Sequence, residues 1–149
     1  MPLTSLQPFS IDSTQTYYFN NISVAQNIYQ NNTLLSNTTI LERHYKNIGT
    51  LSTNVGTDKW YVPVNSKITS IISRVEVAPQ GTTPLTVAVK INSVSTATLS
   101  INSGTTVSSL NTSTINVNTN DYITVDVINI GNTVAGSDLT VTFTYTRNI

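Results

Sequence analysis

Few side chains in this sequence could do chemistry. His44 is the single histidine, Glu42 and Glu76 are the two glutamates, and cysteine is absent. A Ser-His-Asp or Cys-His device would have to use His44, yet no Gly-x-Ser-x-Gly elbow presents a nucleophile. One histidine without cysteine does not make an ordinary zinc site. A glycosidase would need two carboxylates across a cleft, and only these two glutamates and a few scattered aspartates exist. Asp58, Asp121 and Asp138 fall mostly at turns, where aspartate commonly bonds its own backbone. A calcium site from Asp121 or Asp138 with asparagine side chains is conceivable, but no ligand loop of known spacing surrounds either. Asp126 differs, because it lies in a strand and opposite the face of Val125 and Val127. The six glycines are isolated turn signals, so no phosphate-cradling loop is expected. The pattern points away from an enzyme: no catalytic residue, no metal and no cofactor is expected.

Trp60 and Tyr61 are the best candidates for a small ligand. Aromatic rings stack on sugars, and asparagine or aspartate beside them can bond hydroxyls, so the ligand would be a glycan. The competing reading is structural. Trp60 alternates in phase with Val62 and Val64, which would place it in the core and Tyr61 on the opposite face.

The elements that must position these residues read as strands. From residue 55 the hydrophobic period is two. Segment 59–64 (KWYVPV) is a strand pushed to a sheet edge or start by Pro63. Segment 67–77 (KITSIISRVEV) changes face midway, which predicts a bulge near Ser70. Segments 85–91 (LTVAVKI) and 94–101 flank Asn92-Ser93, a candidate tight turn. Segments 107–117 and 122–130, the second after a turn over 118–121, and a final strand after a turn over 131–136 complete the series. Seven or eight strands without a convincing helix predict an all-β fold, an antiparallel sandwich or barrel. Before residue 55 the chain is irregular and polar. Segment 16–24 (TYYFNNISV) could hold short strands, and 39–46 (TILERHYK) is the one candidate helical turn. The expected division is an arm over 1–54 and a sandwich over 55–149.

Only 9% of residues are charged and the formal net charge is zero, which argues against nucleic acid as a partner. No apolar run approaches the roughly 20 residues of a membrane span, so membrane insertion is not expected. Nor does the N-terminus look like a secretory signal, which implies synthesis in a cytoplasm. Ser, Thr and Asn (17, 26 and 18 residues) replace charge. In 139–146 (LTVTFTYT), Thr140, Thr142, Thr144 and Thr146 form one row, opposite Leu139, Val141, Phe143 and Tyr145. A solvated sheet face usually carries Lys and Glu; on the threonine-rich faces Lys90 and Arg147 are nearly the only charges visible from sequence. A neutral hydroxyl face can pack on a copy of itself without desolvating an ion. A solvated outer face remains one reading of the row; the favoured expectation is an oligomer contact around a symmetry axis.

The runs NVGTDKWYVPVNSKITSIISRVEVAPQGTTPLTVAVKIN, TATLSINSGTTV, NTNDYITVDVINIG and GSDLTVTFTYTRNI, which fall within residues 54–149, resemble a recurrent C-terminal module of tailed-bacteriophage virion proteins. Such modules occur in tail fibres, head fibres and capsid decoration proteins. The resemblance implies a jelly-roll sandwich, commonly a homotrimer, mounted on the particle by its N-terminal segment. With about 50 residues before the module there is no room for a fibre shaft, which favours a capsid cement or decoration protein bound to the major capsid protein or other virion proteins. A short tail-fibre or tail-tip protein that binds a host surface glycan is the alternative. Either way the expected location is the virion surface.

Overall fold

The computed structural model describes residues 29–30, 33–34 and 40–147. Among the described residues there are ten strands: β1 (Tyr29–Gln30), β2 (Thr33–Leu34), β3 (Ile40–Thr50), β4 (Trp60–Tyr61), β5 (Ser66–Arg74), β6 (Leu85–Ile91), β7 (Val94–Ile101), β8 (Ile115–Val117), β9 (Tyr122–Asn129) and β10 (Ser137–Arg147). β1 and β2 pair with each other, in a separate unit. The other eight form two four-stranded sheets, in the orders β3-β10-β5-β8 and β4-β9-β6-β7. Every pairing is antiparallel. The protein is an all-β sandwich, as its period-two alternation predicts, and this strand order is compatible with a jelly roll. Among the described residues there is no helix, and so none long and apolar enough to cross a membrane.

Alternation puts one side of each strand into the core. Leu139, Val141, Phe143 and Tyr145 of β10 pack with Ile68 and Ile71 of β5, Val87 and Val89 of β6, and Val125 and Val127 of β9. Phe143, Ile68 and Ile71 are essentially sealed from water. The predicted bulge is found: Thr144 opposes Ser70 while Tyr145 opposes Ile68, leaving Thr69 extra. It lets β5 bury Ile68 and Ile71 although they are three residues apart. The Asn92-Ser93 turn is found as well. Both residues have positive φ (49° and 70°), the geometry of a two-residue hairpin between strands that twist to the right.

Two expectations are corrected. Residues 39–46 are not a helical turn, because 40–46 lie in β3, an eleven-residue strand. Its partner β10 supplies nine residues of register, from Ser137↔Thr50 to Thr146↔Ile40. That tertiary pairing outweighs the helical preference of a short Leu-Glu-Arg stretch, which is weak in isolation. The sandwich consequently begins at Ile40 rather than at residue 55. The strands considered for 16–24 lie outside the described residues.

Candidate functional site

Trp60 and Tyr61 are placed by β4, whose register is Trp60↔Ile123 and Tyr61↔Tyr122. Opposed residues share a face, so Trp60 points with Ile123 toward the core and Tyr61 points outward with Tyr122. The Trp60 ring lies 5.1 Å from Tyr145 and 6.1 Å from Phe143, tilted against both. It is half-buried and closes the interior where Arg43, Tyr45 and Asp58 approach. Burial pushes the Tyr45 phenol above its ordinary pKa, reinforced by the charges of Asp58 and Asp126. The two aromatic neighbours thus do not form one platform.

Tyr61 gains a different neighbour, one that no local pattern along the chain announces. Its ring sits 5.9 Å from Tyr122, and the Lys59 ammonium lies 4.4 Å over the Tyr122 ring. The Tyr122 hydroxyl and Ser93 Oγ share a 2.7 Å hydrogen bond. Alongside, Asn92 Nδ2 donates to Asp121 Oδ1 (2.7 Å) and Asn118 N donates to Asp121 Oδ2 (2.7 Å). Those bonds, the Asn118 amide first, hold the Asp121 carboxyl below its ordinary pKa. Asp138 behaves similarly, with Gly49 N and Ser137 Oγ as donors, and its pKa is also lowered. The Asp121 carboxylate holds the turn before β9, whereas that of Asp138 ties β10 to β3. Among the described residues no three His, Cys, Asp or Glu side chains gather as a metal site would require.

His44 lies directly across from Thr142. Its Nδ1 shares a 3.0 Å hydrogen bond with Thr142 Oγ1, and its Nε2 is 3.7 Å from Glu42. The set resembles a hydroxyl–imidazole–carboxylate relay, but Glu42 stands beyond hydrogen-bond distance. Thr142 occupies a central strand paired on both sides, so its own backbone amide belongs to the sheet. That amide is therefore not free to serve as an oxyanion donor.

The threonine row is not the neutral face expected from sequence. Register places Lys46, His44, Glu42 and Ile40 beside Thr140, Thr142, Thr144 and Thr146 on one flank. Arg74, Ile72, Ser70 and Lys67 flank it on the other. Stacking this face on a copy would desolvate several ions, so the physical reason for assigning the contact to the threonines falls away. Thr142 is itself nearly covered by its neighbours.

Asp126 is the most buried carboxylate among the described residues, with 5% of its surface exposed. It pairs with Lys90 and accepts a 2.9 Å hydrogen bond from Gly56 N. Gly56 is required there, since a Cβ would come within 2.1 Å of the Val125 carbonyl oxygen. The pair pins segment 54–56 to β9, where Asn54 also bridges Val127.

No protein-family model matches the chain, and no curated protein matches it. Among solved structures, it is similar to a chain from work described as "Bacillus endospore appendages form a novel family of disulfide-linked pili". The identity is 16%, the TM-score is 0.33, and the match covers 86% of this chain and 99% of that one. Likeness at that level carries no argument about what this protein does.

Proposed function

We propose that this chain is a non-enzymatic structural protein of a tailed-phage particle. It acts as a capsid cement or decoration protein, held by the segment that precedes the sandwich and displaying a jelly-roll domain outward. The resemblance of residues 54–149 to phage surface modules supports this reading. The observation that carries it is the pair of long outer strands. β3 is eleven residues long and β7 eight, each at the end of its sheet. Such edges offer rows of backbone donors and acceptors to neighbours, as a part built for assembly would. Assembly of several copies is part of the proposal; a homotrimer is the form the resemblance implies. The test is stoichiometry on purified particles. Hundreds of copies per particle support cement, whereas a few dozen or fewer support a fibre.

One observation favours the second reading, a tail-tip glycan-binding protein. Tyr61 is 59% exposed and lies beside Tyr122 near Asn92 and Lys59, a stacking surface with polar groups around it. A glycan array separates the readings: binding that is lost in both Tyr61→Ala and Tyr122→Ala would favour it.

A further inference from the structure

Charge is scarce in this chain and unevenly placed. Glu42, Arg43 and Lys46 stand within five residues of β3, together with the single histidine, in a protein with only seven acidic and seven basic side chains. β3 ends its sheet, and among the described residues its far side pairs with no strand. Along one face run Ile40, Glu42, His44, Lys46 and Ile48, all exposed, the two isoleucines by 70% and 84%. Read outward from His44, the series is self-complementary. Acid on one side matches base on the other, and isoleucine matches isoleucine.

We propose that this edge pairs antiparallel with the same edge of a second copy, about a two-fold axis through His44. In that register Glu42 opposes the partner's Lys46, and Lys46 opposes the partner's Glu42. Ile40 opposes the partner's Ile48 and the converse, covering two of the most exposed isoleucines. On the other face Arg43 opposes the partner's Tyr45, a cation beside a ring. The two four-stranded sheets become one continuous sheet, and an isologous contact of this kind closes on itself. Register is specified as well. A shift of two residues sets Glu42 opposite His44 or Ile48 and loses both ion pairs. A shift of four sets Glu42 against Glu42 or Lys46 against Lys46. The occupant is therefore a second copy rather than an arbitrary strand, because Ile40, Glu42, Lys46 and Ile48 each find their complement on the same edge.

The inference rests on the assembly part of the reading above, with a two-fold contact in place of the homotrimer that the resemblance implies. Location on a phage particle is tested separately, so each can fail without the other. The experiment uses the full chain, sized by sedimentation velocity across a concentration series. The wild type is expected to dimerise. Glu42→Lys sets lysine against lysine twice, and Lys46→Glu sets glutamate against glutamate twice. Each is expected to raise the dimer dissociation constant about tenfold. An equimolar mixture of the two variants is expected to recover wild-type affinity, because the heterodimer restores both attractive pairs. In this cysteine-free chain, His44→Cys should give a disulfide-linked dimer on mild oxidation, since the two thiols would meet on the axis. A wild type that stays monomeric up to about 100 μM overturns the proposal, whatever covers the edge. So does an oligomer unaffected by either reversal, a mixture that recovers nothing, or a His44→Cys variant that forms no linked dimer.

Discussion

Replacing Lys90 by methionine should cost far more stability than replacing Asp126 by asparagine, although both changes delete the same ion pair. The Asp126 side chain is 8% exposed and that of Lys90 is 29% exposed. Methionine preserves most of the lysine stem but leaves the carboxylate enclosed, with the Gly56 amide as its remaining donor. Stranding one member of a buried pair costs about 3–5 kcal/mol, and the partly open lysine end argues for about 3 here. With a urea dependence of about 1.5 kcal/mol per molar, the unfolding midpoint should fall by about 2 M. Asparagine at 126 still accepts from Gly56 and leaves a lysine that can turn to water, so the cost should be about 1 kcal/mol. The double variant should resemble Asp126→Asn rather than the sum of the two, giving a coupling of more than about 1.5 kcal/mol. Urea unfolding of all four proteins decides the matter. Two equal costs below about 0.5 kcal/mol would mean that the pair behaves like an exposed surface pair, and the burial argument would be wrong.

Trp60→Ala should lower stability by about 2–3 kcal/mol, below the full cost of a buried tryptophan because the ring is half-buried, whereas Tyr61→Ala should stay within about 0.5 kcal/mol; thermal unfolding of both checks this, and the reverse order would remove Trp60 from the core. Asp121 and Asp138 have folded pKa values below their ordinary 3.8. Their contribution is therefore complete above that value and is lost as pH falls through the lowered folded pKa, so acid unfolding should begin on approach to 3.8 and be less steep in Asp121→Asn, as circular dichroism across an acid series would show.

Much of the fold was legible because most strands from β5 onward turn their apolar side chains to one core face, so that alternation in residues such as Leu85, Val87 and Val89 reports directly on packing. The Thr69 bulge was legible for the same reason, through the phase change between Ile68 and Ile71. β3 was not. Only Leu41, Tyr45 and Asn47 among residues 40–47 are even half-buried, so this edge strand carries little apolar signal, and its identity comes from β10, about a hundred residues away in sequence. The threonine row is concealed in the same way. Its composition is visible in one strand, but its charged flanks belong to β3 and β5 and appear only with the register. Trp60 and Tyr61 were separable in advance by the parity of Trp60, Val62 and Val64. The meeting of Tyr61 with Tyr122 depends on how β4 lines up with β9, which no local pattern encodes.

The proposed role makes this sandwich a part of a particle surface, kept there by its neighbours. The most direct measurement is to locate and count it on intact phage by electron cryo-microscopy. The prediction is a sandwich domain on the outer capsid surface, present in hundreds of copies. Particles that lack it, or that carry it only at the tail tip in small number, would contradict the account.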